Sequence, residues 1–310
     1  MSKVPAVSVI LPTHNRADLF QRALASVLGQ TCRELEVIVV DNACTDRTPQ
    51  ILSAVDDPRV RVIRLAELRG ASAARNAGLH EARAALIAFQ DDDDIWLPDK
   101  LEHQIQALEA GGLQAGLCLS GYIRLIPQGV ECRYARRFFD EIDFSMGVVL
   151  RNFSVIATPG WLVRKHYLDR AGHFDEALPA RNDWELALRL RDVCQFVYVE
   201  GPCFIQDQTR QTTMHRNEAA FSVALRRLIQ IHGQRWAGRP EVVASHAAVI
   251  GRHEVTAGNA AEGRLWLRRS LAARFWQPGI LALYAMSFLG AGLVARMRQF
   301  RQSLRSPQSS

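Results

Sequence analysis

The sequence predicts an α/β fold: a mostly parallel sheet covered by helices on both faces, followed by a helical C-terminal extension. Three observations predict it. Short, fully apolar runs alternate with segments of helical periodicity through the first half of the 310 residues. The polar residues of that half cluster just after the apolar runs, at the carboxyl ends of the inferred strands. From residue 215 onward the periodicity is helical throughout. Apolar strands separated by helices imply a sheet buried on both faces. In such sheets ligands bind beyond the carboxyl ends of the strands.

The elements follow in order. Val7-Ser-Val-Ile-Leu11 is a first strand closed by Pro12, and residues 16–29 carry Leu19, Phe20, Ala23, Leu24, Val27 and Leu28 at helical spacing. Glu36-Val-Ile-Val-Val40 is a second strand. Thr48 to Val55 reads as a short helix with Asp46 placed to cap it. Val60 to Leu65 alternates as a third strand, Ser72 to Arg83 is an Ala-rich helix, and Ala85 to Phe89 is a fourth strand. Pro98 opens a helix through Glu109. The stretch 110–209 is less regular, with strands expected at 117–122 and 196–200 and a helix at 184–191. Beyond it, helices are expected at 215–232, 241–257 and 260–275, the last two a hairpin broken at Gly258-Asn259. This gives a first domain over 1–215, an extension over 216–305 and a disordered tail over 306–310. Within the first domain the pattern changes at about 110, dividing it into about 1–110 and about 111–215.

Composition narrows the class. The chain is 48% hydrophobic and 23% charged, with a mean hydropathy of −0.07, which argues against a polytopic membrane protein. Its six cysteines have no C-x-x-C spacing and are expected as reduced, packed thiols. The N-terminus lacks the apolar core of a signal peptide, so a cytoplasmic location is expected. The net charge of +6 is unevenly spread: residues 210–310 hold 15 Arg, no Lys and four Glu. Such a basic segment suits an anionic partner. Residues 279–295 are uncharged and flanked by Arg274, Arg296, Arg298, Arg301 and Arg305. At 17 residues the stretch is shorter than the roughly 20 that a span needs. An interfacial helix at the inner face of a membrane is the expectation, beside a buried helix or a true span.

The run Asp91-Asp92-Asp93-Asp94 directly follows the fourth strand. Four adjacent carboxylates repel one another, and a cation or proton uptake must relieve them. Hard Mn²⁺ or Mg²⁺ suits carboxylate oxygen. The run is not an EF-hand, because the spaced ligands and distal Glu are missing. The bland alternative is a helix start decorated with acids, a role open to Asp94.

Five segments in order carry a resemblance to the family 2 glycosyltransferases. Ser8-Val-Ile-Leu-Pro-Thr-His-Asn-Arg16 resembles the opening of that family, and Glu36 to Asp46 its second strand with a nucleotide-binding Asp. Arg69-Gly-Ala-Ser-Ala-Ala-Arg-Asn-Ala-Gly78 resembles its Arg-Asn-x-Gly segment. Phe89-Gln-Asp-Asp-Asp-Asp-Ile-Trp96 resembles its D-x-D loop. Gly172 to Glu176 and Asn182 to Leu186 resemble its acceptor side. The resemblance covers about 5–215 and implies a Rossmann-like, GT-A type fold, with about 1–110 the nucleotide-binding part and about 111–215 the acceptor-binding part.

It implies an inverting enzyme that moves a sugar from a nucleoside-diphosphate donor, expected to be UDP-linked, to a hydroxyl of a glycan or lipid-linked acceptor. Asp93 would bind the metal, with Asp91 on the metal or the ribose and Asp92 between them at the donor. Asp41 would bond the nucleobase beside Pro12 and Thr13, and Arg75 and Asn76 would lie beside the nucleotide. A carboxylate must also deprotonate the acceptor. The family's Glu-Asp pair reads Asn182-Asp183 here, which makes Asp183 the candidate base, Glu185 the fallback, and Asn182 with Trp184 acceptor contacts, although Trp184 could instead pack in the core. Asp183 could equally cap the helix that follows. Arg210, His215 and Arg216 loosely match a flexible segment near the diphosphate. No Q-x-x-R-W pattern favours a processive polymerase, and no G-x-G-x-x-G follows strand one. Two other readings are a non-catalytic sugar-nucleotide-binding protein, suggested by Asn182, and a nucleic-acid-binding protein using the basic C-terminus. For the latter no reading helix is evident, so no nucleic acid is expected.

Overall fold

The computed structural model describes residues 4–135, 157–209 and 218–288. They fall into two compact units, one up to residue 209 and one over 218–288.

The first unit opens with β1 (Val7–Thr13), α1 (Ala17–Leu28), β2 (Leu35–Asn42), α2 (Thr48–Ser53), β3 (Val60–Leu65), α3 (Ala71–Glu81) and β4 (Leu86–Phe89). These strands lie in the order β3-β2-β1-β4 and pair in parallel. Side chains alternate across a strand. Val7, Val9 and Leu11 therefore join Phe20, Ala23, Leu24 and Val27 of α1 in one core layer. Ile10 and Val40 face α3 on the other side. That helix lies very close: a Cβ on Gly78 would stand 2.6 Å from Ile10 Cγ2. Both faces are thus covered, which is why β1 and β2 contain no exposed residue.

Beyond β4 the sheet is mixed. It continues through β5 (Asp94–Trp96), α4 (Lys100–Ala110), β6 (Ala115–Ile126), β7 (Gly129–Arg133), β8 (Trp161–Arg164), α5 (Lys165–Ala171), α6 (Asn182–Arg191) and β9 (Gln195–Asp207). The strand order runs on from β4 as β8-β6-β9-β5, with β7 against β6. β8 is antiparallel to both neighbours, and β6 and β9 are parallel. Four short elements, β5, β7, β8 and α5, were not expected from the sequence. Each has seven residues or fewer, too few to display a period.

One correction concerns Asp94. It does not open a helix; it begins β5, opposite Gln206 of β9, and α4 starts only at Lys100. Asp99, next to Lys100, stands in the helix-start position instead.

The second unit holds α7 (Glu218–His232), α8 (Pro240–Thr256), α9 (Ala260–Ala273) and α10 (Pro278–Met286). Helices α8 and α9 pack through glycine. A Cβ on Gly263 would lie 2.5 Å from Val255 Cγ2, and one on Gly251 would lie 2.8 Å from Leu267. Trp236 is fully buried between His232 and His246, with ring centroids 5.8 and 4.7 Å away. No helix among the described residues is long and apolar enough to cross a membrane. The expected apolar segment 279–295 is described only to residue 288, and Arg210, His215 and Arg216 lie outside the described residues.

Candidate active site at the strand ends

Register brings the polar strand ends together. Thr13 is paired with Asp41 across β1 and β2, and β4 stops at Phe89 opposite Ile10. The acidic run therefore lies beside Pro12 and Thr13. Gln90 N–H continues the ladder by donating to Ile10 O at 2.9 Å. The chain then turns tightly, with Asp94 N–H donating to Asp91 O at 3.2 Å.

That turn sorts the four carboxylates into two kinds. Asp92 and Asp94 point inward and are buried; Asp91 and Asp93 keep 32% and 26% of their side-chain surface. Asp92 accepts from Thr13 Oγ1 at 2.8 Å and from Arg16 Nη1 at 2.9 Å. Arg16 also reaches Asp93 at 3.0 Å, and Arg75 Nη2 reaches Asp91 at 2.5 Å. Burial pushes Asp93 up to about 6, and the Asp91 and Asp92 charges push the same way against Arg16. Burial raises Asp92 as well, with Arg16 and Thr13 opposing. Asp94 is driven well above the carboxylate range by complete burial and its three neighbours, and its Oδ2 has no hydrogen-bond partner among the described residues. Two guanidinium groups thus fail to relieve the repulsion in the turn.

The donor chemistry fits a hard divalent cation. Two partly exposed carboxylates, Asp91 and Asp93, offer oxygen donors from one turn. Among the described residues no three Asp, Glu, His or Cys side chains converge into a metal cage. Such a cation would draw its remaining ligands from water and a phosphate-bearing substrate, as Mg²⁺ sites commonly do.

Arg75 is held from the other side too. Its guanidinium lies 5.6 Å from the centre of the Phe174 ring. Phe174 in turn packs edge-on against Phe89 at 5.2 Å. Asn76 fixes that wall by donating to Phe174 O at 3.0 Å and accepting from Phe174 N–H at 3.1 Å.

Asp183 stands in the first turn of α6. Its Oδ1 accepts from the N–H of the next residue, Trp184, at 2.7 Å; the helix starts one residue earlier with Arg181 before it and no side-chain cap, so the expected capping role falls away. Part of its surface stays open, yet the dense surroundings raise its carboxyl above the usual range. Trp184 N–H, Arg181 and Arg75 oppose that rise, and Asp91 adds to it. Asp183 is therefore within electrostatic reach of the Asp91–Arg75 pair, although 92 positions separate it from Asp91 in the chain.

Residues 8–130 match the family model described as glycosyl transferase family 2. This stretch is a family 2 glycosyltransferase domain. Over 114 residues it is 43% identical to the succinoglycan biosynthesis protein ExoO of Rhizobium meliloti, an alignment covering 37% of this chain and 33% of that protein. The chain thus spans about a third of that relative's length. Two solved structures share the fold. Staphylococcus aureus TarS 1–349 in complex with UDP-GlcNAc aligns with a TM-score of 0.60 at 18% identity, over 96% of this chain and 92% of that one. The mannosyltransferase PcManGT from Pyrobaculum calidifontis, in complex with GDP-Man and Mn²⁺, gives 0.54 at 19% identity, over 95% and 88%.

The expected residues fall into two groups. Pro12, Thr13, Asp41, Arg75, Asp91 and Asp93 gather at the strand ends, and Asp183, beyond the matched stretch, is within electrostatic reach of Arg75 and Asp91. Asp41 is buried, accepts from Cys44 N–H at 2.8 Å and has Arg64 Nε at 3.6 Å. The others brace the site. Asp92 is consumed by Thr13 and Arg16, so it supports the turn and does not stand open to a nucleotide. Asn76 spends its amide on Phe174 and on Glu176 at 3.0 Å. Asn182 donates to Ser72 Oγ at 2.9 Å. Trp184 is 1% exposed, so its ring packs in the core and does not offer a stacking face to a sugar. Glu185 is equally buried and bonded to Arg189 at 2.8 and 2.6 Å, which removes it as a fallback base.

Sequence reasoning missed Arg16, Ser72 and Phe174. Arg16 was the most accessible of them: four carboxylates in one turn require cations nearby, and it is the first cation after β1. Asn15 was also passed over. It sits at φ +52°, a left-handed conformation Asn tolerates, and its Oδ1 accepts from Thr45 and Asp46 N–H at 2.7 and 3.2 Å. It thereby stitches the β1 and β2 loops together. Asp46 serves both helix starts, accepting from Ala17 N–H at 3.1 Å and Thr48 N–H at 2.9 Å.

Proposed function

We propose that the protein is an inverting, metal-dependent glycosyltransferase that moves one sugar, a hexose or a close relative, from a UDP-linked donor to a hydroxyl. The carrying observation is the pairing of two half-open carboxylates, Asp91 and Asp93, with a third, Asp183, held within electrostatic reach across Arg75. In this reading residues 1–215 form the transferase domain and 216–305 an extension to it. The ExoO relative, named for succinoglycan biosynthesis, favours polysaccharide assembly; the reading extends to glycolipid assembly at the inner face of the cytoplasmic membrane, with a glycan or lipid-linked acceptor. The UDP-GlcNAc and Mn²⁺ named for the two fold neighbours favour a nucleotide donor and a divalent ion.

Asp41, Pro12 and Thr13 hold the nucleoside end, with Asp41 accepting from the base. Asp93 and Asp91 would hold the ion, Mn²⁺ or Mg²⁺, which would supply Lewis-acid neutralisation of charge on the diphosphate. Arg75, oriented by Phe174, adds positive charge beside Asp91. Asp183 takes the acceptor proton, and the upward shift of its carboxyl strengthens it as a base. Attack from the Asp183 side, opposite the leaving group, inverts the anomeric carbon.

A panel of nucleotide sugars, assayed with and without chelator, tests the reading. Metal-dependent release of the nucleotide from at least one donor, abolished in Asp93→Ala, is the expected result. Equal release in chelator, or full activity in Asp93→Ala, would contradict it.

A further inference from the structure

We infer that the corner between α9 and α10 is a docking surface for an anionic lipid membrane. The inference rests on the second unit alone and does not depend on the transfer reading.

Two large aromatics stand outside the fold at that corner. Phe275 and Trp276 are 76% and 70% exposed, and Phe288 is 62% exposed. They adjoin a helix with no polar face. Residues 278–288 contain no charge, and a helix apolar on every side requires an apolar environment beyond its own partner. The partner covers only one side. Ile280 and Ser287 are buried, while Gly279, Ala282, Ala285 and Phe288 face outward. Isolated exposed apolar residues are ordinary, but a contiguous group of this kind marks an interaction site.

Charge selects the partner. The exposed face of α9 carries Leu265, Arg268, Arg269 and Ala272, and exposed Arg274 follows, next to Phe275 in the chain. Arg264 sits over the Phe288 ring at 4.6 Å and donates to Ser287 O at 2.9 Å. From Gly263 to Phe288 the chain carries Arg264, Arg268, Arg269 and Arg274 and no acid. Trp and Phe at the level of the head groups, with Arg alongside, are the elements of an interfacial anchor. Juxtamembrane basic residues are drawn to anionic leaflets. The surface lies on, and does not cross, the bilayer, in keeping with the absence of a spanning helix among the described residues.

Flotation of the full chain with vesicles tests this. Vesicles of equal parts phosphatidylcholine and phosphatidylglycerol are compared with pure phosphatidylcholine. The protein should float with the mixed vesicles at least tenfold more strongly, and added salt should weaken it. The double variant Phe275→Ser/Trp276→Ser should lose roughly tenfold in binding, since interfacial affinity scales with buried apolar area. Arg268→Glu/Arg274→Glu should abolish the preference for the anionic lipid. All four positions are exposed, so circular dichroism and melting temperature should stay unchanged in both variants. Equal flotation with both vesicle types, or unchanged flotation of both variants, overturns the inference. So does a concentration-dependent dimer that Phe275→Ser/Trp276→Ser dissolves, because a second copy then covers the surface. Nucleotide release from the donor, measured without vesicles, reports separately on the transfer reading.

Discussion

At the residue scale, the acidic turn stores a conflict that binding is built to resolve. Asp93 has its carboxyl raised to about 6. A carboxyl raised on folding binds more protons in the native state, so it costs stability as pH rises from near 4 through about 6. Asp93→Asn should therefore stabilise the metal-free protein at pH 7 by about 1–2 kcal/mol, after allowance for solvent screening. A melting curve checks the sign, and the gain should disappear at pH 4. The same titration governs the ion. Mn²⁺ affinity should fall roughly tenfold per pH unit below about 6, because a ligand carboxyl must first lose its proton. Calorimetric titration across that range reads it. Ser72 gives a second residue-scale prediction. It receives the Asn182 amide at 2.9 Å and lies on the helix that carries Arg75. Ser72→Ala should lower kcat several-fold with little change in donor KM, since it loosens the Asp183 turn and spares the nucleotide side. Steady-state kinetics against both substrates separates the two.

At the element scale, two helix contacts depend on the absence of a side chain. α3 rests on β1 where Gly78 meets Ile10 Cγ2, and α9 rests on α8 where Gly263 meets Val255. Gly78→Val should destabilise by about 1–3 kcal/mol through overpacking and displace Arg75 with the helix. Chemical denaturation measures the first effect and donor KM the second. Gly263→Val should destabilise comparably yet leave donor KM unchanged. The glycine in the Arg-Asn-x-Gly segment thus has a packing reason that the sequence could not display, because its neighbours are distant in the chain. The long periodic elements were legible in advance: β1, β2, α1, α3 and the α8–α9 hairpin fall within a few residues of their expected places. The short strands β5, β7 and β8 were not, since their residues form strands only because β6 and β9 are already there to pair with. Asp94 shows the consequence. Read locally it resembles a helix-start charge, but its pairing opposite Gln206 makes it a buried strand residue.

At the scale of the whole molecule, the proposed chemistry depends on two distant stretches meeting. The strand-end acids were legible because each follows an apolar run, and within the run half-open Asp91 and Asp93 alternate with buried Asp92 and Asp94. Motif position says nothing of depth, so Trp184 stayed open between a sugar contact and the core and Glu185 stood as a fallback base; both face the core, and Arg189 takes up the charge of Glu185. Asp183 is what remains open in that turn. Its carboxyl has one hydrogen bond among the described residues, to Trp184 N–H, and senses both Arg75 and Asp91. The division of labour, with Asp91 and Asp93 holding the leaving group and Asp183 activating the acceptor, is the central claim. It is tested most directly by Asp183→Asn, an isosteric change that keeps an oxygen to accept from Trp184 N–H. The account predicts nucleotide-sugar binding within a few-fold of wild type and transfer reduced at least a hundredfold, the scale of a lost general base. Transfer at the wild-type rate in Asp183→Asn would contradict it.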